Sequence, residues 1–363
     1  MNHRIVIFAL LANCSATIGY TAEFCVTNAQ ELQDALDLAA NNTEDNHIQL
    51  VTGYYPTEFN GLPNQGFKYI SALPSALEIS GGWRLNGNNC YQTRVVASAN
   101  ETLLAGGGIH QVLTIAAGDS DAAIKVSNLS ITDGFPYSVN NHTGGLWIKG
   151  YDSNGMASDV VLDRLVFINN KGSYSSALLI ESEGRVDVKN SLFRGNTVGF
   201  NDTVSLKTSS SETTYFTNNT VVNNHTDNPN GRSGVHLRNY GSGGSLAANN
   251  IFWDNVKWDV VFEGISANHH LIYNTLETAI GNLGTTVANS YADPLFNFDY
   301  TLSLGSPAID AGIAPPENQP NPPLELDWTV GEHDMLGHGR NQGLNVDMGA
   351  MEYLDNIFAS GFE

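Results

Sequence analysis

Two apolar spacings run along this chain. Leu32, Ala35, Leu36 and Ala39 recur at i, i+3, i+4 and i+7, one stripe along a helix. Thr27 and Gln30 fit a capping box, so a helix is predicted over residues 27–41. Beyond it the spacing falls to two. Residues 48–51 and 77–80 are short strands bounded by turn residues, the second ending at Gly81-Gly82-Trp83.

From about residue 126 the sequence repeats. Ser127-Asn128-Leu129-Ser130-Ile131 aligns with Asp163-Arg164-Leu165-Val166-Phe167, Asn190-Ser191-Leu192-Phe193-Arg194, Asn218-Asn219-Thr220-Val221-Val222 and Asn249-Asn250-Ile251-Phe252-Trp253, with a weaker copy at His269-His270-Leu271-Ile272-Tyr273. The anchors at 129, 165, 192, 220, 251 and 271 lie 36, 27, 28, 31 and 20 residues apart, spacings of solenoid length. A second strand follows in each repeat: Leu146-Trp147-Ile148, Leu178-Leu179-Ile180, Val204-Ser205-Leu206, Val235-His236-Leu237 and Val260-Val261-Phe262. If coils stack in parallel about 4.8 Å apart, the outer members of each triplet fill the interior. This predicts an all-β, single-stranded parallel β-helix in which Leu165, Leu192, Val235 and Leu237 face inward. Asn169, Asn196, Asn224 and Asn255 fall four residues past successive anchors, where stacked amides can form a ladder at a coil corner. His269 and His270 are assigned to a turn.

Composition narrows the partners. Lys and Arg total 16 against 37 Asp and Glu, a formal charge of −21, which argues against binding a phosphate backbone and so against nucleic acid. Met1 to Arg4 is a short basic start and Ile5 to Ala12 an apolar run, together the pattern of a secretory leader, placed at residues 1–22. No later segment reads as a transmembrane helix. Leu11-Ala12-Asn13-Cys14 loosely resembles a lipobox, with Asn13 where a small residue belongs. Secretion or an envelope location is therefore expected, without lipidation. Removing the leader takes Cys14 and leaves Cys25 and Cys90, either two buried thiols or, as export favours, one disulfide closing a 65-residue loop.

The C-terminal part carries a resemblance. Asp293-Pro294-Leu295-Phe296, Tyr300-Thr301-Leu302, Gly305-Ser306-Pro307-Ala308-Ile309-Asp310-Ala311-Gly312, Asp334, Gly337, Arg340, Asp347, Gly349, Ala350 and Glu352 resemble, in order and spacing, the cassette of exported bacterial right-handed β-helix proteins with a choice-of-anchor Q domain. The Cys25 segment, Gly81-Gly82-Trp83 and Cys90 are similar to the opening of such proteins. The resemblance implies a right-handed β-helix outside the cytoplasm, with no defined biochemical role. Domains are accordingly expected at 23–110 (N-terminal cap and first coils), 111–285 (the β-helix), 286–354 (a cassette capping its end) and 355–363 (a tail). Asp310, Asp334, Arg340, Asp347 and Glu352 are read as structural, Arg340 pairing with carboxylates while Asp side chains cap turns. Converging acids could instead bind structural Ca²⁺. No cofactor is otherwise expected.

Chemistry is sparse. Gly337-His338-Gly339 matches a short polygalacturonase motif only weakly, and the paired carboxylates of glycoside hydrolysis are not found. No nucleophile elbow, zinc-protease, phosphate-loop or dinucleotide motif occurs. The best candidate comes from register. With Leu146 and Ile148 inward, Trp147 and Lys149 point out, and the equivalent outward positions carry Glu181, Lys207, Arg238 and Glu263, with His236 beside them. Trp147, Lys149, Glu181, Lys207, His236 and Arg238 could hold an acidic or neutral glycan by stacking and charge-assisted bonds. The competing account is an alternating-sign ladder that keeps a sheet face soluble. The expected function is a non-enzymatic protein that binds carbohydrate or a cell-surface component, against a lyase or hydrolase acting on acidic polysaccharide.

Overall fold

The computed structural model describes residues 21–58, 66–87, 89–90, 98–117, 123–136, 143–150, 157, 159–229, 231–265, 268–314, 328–340 and 342–354. Most of the leader, the 355–363 tail and the 315–327 segment lie outside them. Thr21 and Ala22, the last two residues placed in the leader by sequence, begin the strand Thr21–Val26 and pair with Asp45 and Asn46.

The architecture is a parallel β-helix. Among the described residues every strand pair is parallel except the short hairpin of Leu85–Asn86 with Asn89–Cys90. Two large sheets run along the coils, of 15 and 8 strands, with a third of 3 strands at a corner. Alternation makes the interior. In the 8-stranded sheet, Phe67, Leu113, Leu146, Leu178, Val204, Val235 and Val260 stack in one inward column, and Tyr69, Ile115, Ile148, Ile180, Leu206, Leu237 and Phe262 in the next. In the 15-stranded sheet the matching column is Tyr55, Leu104, Ile131, Phe167, Phe193, Val221 and Phe252. Phe167 and Phe193 stack with ring centroids 4.8 Å apart. Each such side chain contributes roughly 2 kcal/mol of transfer free energy.

Leu165, Val235 and Leu237 face inward as expected, but Leu192 does not. Val166, rather than Leu165, pairs with Leu192, so Leu192 points out of the coil and Phe193 takes the interior place. Left-handed residues fix the true register: Asn128, Arg164, Asn190, Asn218 and Asn249 all have φ between 53° and 57°. Three residues on from each stand Ile131, Phe167, Phe193, Val221 and Phe252. The amide ladder keeps Asn196, Asn224 and Asn255 as expected and differs at one member, Asn170 in place of Asn169. Asn196, Asn224 and Asn255 each accept at Oδ1 from the backbone N–H of the preceding member and Asn170 from that of Gly134, while Asn169 is a left-handed corner residue at φ 56°. A second ladder joins Asn219, Asn250, Asn274 and Asn289. His269 lies in the strand His269–Ile272, fully buried.

The helix spans Ala29–Ala39. Its cap is Asn28, whose side chain accepts from Glu31 N–H at 3.0 Å, while Glu31 Oε2 accepts from Thr27 N–H at 2.8 Å. Asn28 rather than Thr27 is thus the cap, and Glu31 rather than Gln30 reaches back, to the N–H and hydroxyl of Thr27. Leu32, Ala35, Leu36 and Ala39 are buried across the first coil, and Cys25 and Cys90 are joined in a disulfide with Cα atoms 5.5 Å apart.

Among the described residues the cassette meets the far end of the solenoid only at its start, where Thr286 and Val287 pair with Leu271 and Ile272 as the last rung. From Phe296 onward its described part lies along the flank of the 15-stranded sheet, where outward positions are apolar. Met335, Ala350 and Met351 cover Val166, Leu192 and Val222; Met348, Leu302 and Ala308 cover Ile251; Trp328, Val330, Val346 and Ile313 cover Leu246, Ala248 and Ile272. That last rung, Thr285–Val287, is itself exposed. Strands such as Thr220–Val222 and Ser245–Ala248, buried on both faces, need an outer layer as much as an inner one. Beyond that rung the described part of the cassette is thus a strap along the flank rather than an end cap.

Candidate functional site

The six residues selected by register lie on the outer face of the 8-stranded sheet. Trp147 follows Thr114 and precedes Leu179, Ser205, His236 and Val261 in one outward column; Glu181, Lys207, Arg238 and Glu263 pair in succession in the other, with Lys149 one strand before Glu181. They separate into two groups. In the first, Lys149 Nζ sits 4.6 Å from the centre of the Trp147 ring, the indole N–H donates to Glu181 at 3.3 Å, and Lys207 pairs with the other Glu181 oxygen at 3.2 Å. Lys207 is 42% exposed and Glu181 26%, so solvent screens this pair and its worth to stability is small.

The second group is tighter. His236, 2% exposed, has a carboxylate at each ring nitrogen: Asp202 Oδ2 at 3.0 Å from Nδ1 and Glu263 Oε2 at 3.0 Å from Nε2. Arg232 Nε meets Asp202 Oδ1 at 3.1 Å. Arg238 lies against the imidazole, its Nε 3.7 Å from Glu263 Oε2 and its Nη2 3.5 Å from Asp202 Oδ2. Tyr240 donates to Glu263 Oε1 at 2.9 Å. Burial pushes the Glu263 carboxyl up, but the Tyr240 hydroxyl and the neighbouring His236 and Arg238 outweigh it and leave its pKa below the ordinary glutamate value. Burial, reinforced by the bond to Glu263, raises the Tyr240 phenol.

Sequence reasoning found His236 and Arg238 and placed Glu263 in the column, but missed Asp202, Arg232 and Tyr240. Counting back by twos from Leu206 and Val204 sends Asp202 to the interior. The ladder is irregular there, between Ser175 and Leu178 on the neighbouring strand, and Asp202 instead meets Arg232 and His236. The usable signal was the Arg-x-x-x-His-x-Arg run 232–238, which brings three nitrogen bases to one strand end.

The cassette acids have other work. Arg340, 1% exposed, donates to Glu352 at 2.8 Å, to Asn190 Oδ1 at 3.0 and 2.6 Å, and to the Gly349 carbonyl at 2.9 Å. It thus pairs with one carboxylate and fastens strap to coil. Asp334 accepts from the N–H groups of Leu336, His338 and Glu352; Asp347 from those of Asp310 and Tyr353; Asp310 from Asn345. These acids serve backbone donors and do not converge as a calcium cage would. Among the described residues no group of three or more His, Cys, Asp or Glu could hold a metal ion, and no helix is long and apolar enough to cross a membrane.

No family model matches this chain, and no curated protein does. Solved structures are similar to it at low scores. A doubly substituted pectate lyase from Xanthomonas campestris matches over 85% of this chain and 89% of that one, at 12% identity and a TM-score of 0.39. A pectin methylesterase from Aspergillus niger matches over 77% and 88%, at 14% identity and a TM-score of 0.24. The fold assignment rests on the strand pairing above.

Proposed function

We propose that this is an exported, envelope-associated or secreted β-helix that binds carbohydrate or another surface component through the outer face of its 8-stranded sheet, without cleaving it. The observation that carries this reading is the pairing of outward charges into an in-register stripe from Glu181 to Glu263, with Lys149 over the Trp147 ring one strand before it and His236 beside it. General acid–base catalysis needs a group free to face the substrate. In the unliganded chain both nitrogens of His236 face carboxylates of the protein itself, Asp202 from a buried position and Glu263 from the rim. The disulfide and the leader-like start support export, and the cassette's resemblance to choice-of-anchor Q proteins belongs to the same reading.

The alternative, a lyase or hydrolase of acidic polysaccharide, draws on the buried Asp202–His236 pair beside two arginines. Incubation with uronate-containing and neutral polysaccharides, following unsaturated products and reducing ends, separates the two. The expected result is retention of polysaccharide without turnover. Sustained product formation, abolished by His236→Ala, would overturn the binding-only function.

A further inference from the structure

The members of the His236 cluster are held very unequally. Asp202 and His236 are 1% and 2% exposed, whereas the Glu263 side chain is 50% exposed and reaches the cluster from its rim. It meets His236 Nε2 at 3.0 Å and Arg238 Nε at 3.7 Å, with its other oxygen on the Tyr240 hydroxyl. Take that carboxylate away and two guanidinium groups, Arg232 and Arg238, face the single carboxylate of Asp202. The result is a local excess of positive charge in a protein whose formal charge is −21. Such a notch selects a compact anion rather than a neutral group.

A second feature adjoins it. Tyr174 and Phe200 are 47% and 62% exposed, with ring centroids 6.5 Å apart, in the turns just before the strands Ser175–Ser182 and Asp202–Thr208. Phe200 stands two residues before Asp202, and the Arg232 N–H donates to the Asn201 carbonyl at 2.9 Å. The aromatic pair therefore stands on the Asp202 and Arg232 side of the cluster. Exposed rings on successive coils give an apolar platform for the faces of sugar rings.

We propose that Glu263 occupies the seat of a ligand carboxylate, and that a uronate-bearing sugar chain binds by displacing it from His236 and Arg238 while its rings lie on Tyr174 and Phe200. This deepens the proposed function, on which it rests, by naming the ligand class. Asp202 stays in place and keeps His236 oriented. Tyr240 and Glu263 swing outward together or part.

The test is calorimetric titration of the full chain with oligomers of galacturonate, glucuronate, mannuronate and guluronate, each beside its carboxyl-reduced, neutral counterpart. At least one uronate oligomer is expected to bind wild type. Glu263→Ala, which removes the competitor, should bind it roughly tenfold more tightly, whereas Arg238→Ala and Phe200→Ala should each bind it at least roughly tenfold more weakly. The carboxyl-reduced oligomers should not distinguish Glu263→Ala from wild type. Glu263→Gln, which keeps the shape and loses the charge, should fall between, and matching melting curves would show that the variants fold. If Glu263→Ala binds uronate no better than wild type, while Trp147→Ala still weakens saccharide binding, the displacement proposal is overturned and the binding face stands. If neither wild type nor Glu263→Ala binds any oligomer, both are overturned.

Discussion

At Asn224 one amide side chain does the work of several backbone partners. Its Oδ1 accepts from the N–H and the side-chain amide of Asn196, both at 3.0 Å, and its Nδ2 donates to the Phe193 carbonyl at 3.0 Å and to Asn255 at 2.9 Å. Replacing it strands buried donors on one side and a carbonyl on the other, so Asn224→Ala should destabilise the fold by about 2–3 kcal/mol in denaturant unfolding. Register gives a sharper test. Phe193→Asp places a charge among stacked rings in the dry interior, where nothing compensates it, and should cost more than about 4 kcal/mol or prevent folding. Leu192→Asp perturbs the contact between coil and strap, at a position 5% exposed, and should cost less. Equal losses from the two would put the register one residue out. The same single-residue slip marks the limit of what was legible at this scale. The position after each left-handed residue is Leu129 or Leu165 in two coils but Ser191, Asn219 and Asn250 in the next three. Aligning by leucine therefore matched an interior side chain to an outward one.

At the scale of elements, the strands of the 8-stranded sheet could be read outright because one face is apolar and the other polar. The strap could not be read this way. The strands beneath it are apolar on both faces, which by pattern alone fits a fully buried strand without naming what buries it. Its backbone approaches the coils closely at Gly349, with φ 96° and its N–H donating to the Asn249 carbonyl at 2.7 Å; a Cβ there would lie 2.8 Å from Ile251 Cδ1. Ending the chain before residue 328 should therefore expose Val166, Leu192, Val222, Leu246 and Ile272 and give a protein that binds hydrophobic dye and aggregates. Unchanged solubility and melting would show that the strap is dispensable. Its anchor also predicts a pH response. Burial, against the opposing pull of Arg340, raises Glu352 from 4.5 to about 7, and burial likewise raises Asp163, Asp187, Asp259 and Asp347. A carboxyl with a raised folded pKa binds its proton more tightly in the folded state, so its contribution is full below about 4.5 and is lost as pH rises towards 7. Burial lowers His269 and His270, which act oppositely, losing stability as pH falls below 6.5. Glu352→Gln should flatten the fall in melting temperature between about pH 5 and 7; an unaltered slope would remove Glu352 as its source.

The whole molecule is a stack with two differently used flanks. One is apolar and spent on the strap; the other stays polar because the chain never returns across it among the described residues. Repeat length and strand alternation made the solenoid legible, and outward parity exposed the charged stripe. The His236 cluster was only half legible, because Asp202 arrives where pairing is irregular and Arg232 from outside any strand. Binding through that stripe is tested most directly by affinity electrophoresis of wild type and a Lys149→Ala/Lys207→Ala/Arg238→Ala variant in native gels cast with and without acidic polysaccharide. The predicted result is retardation of wild type by at least one polysaccharide, with the variant running as it does in the empty gel. Equal retardation of both proteins, or of neither in any polysaccharide, would contradict it.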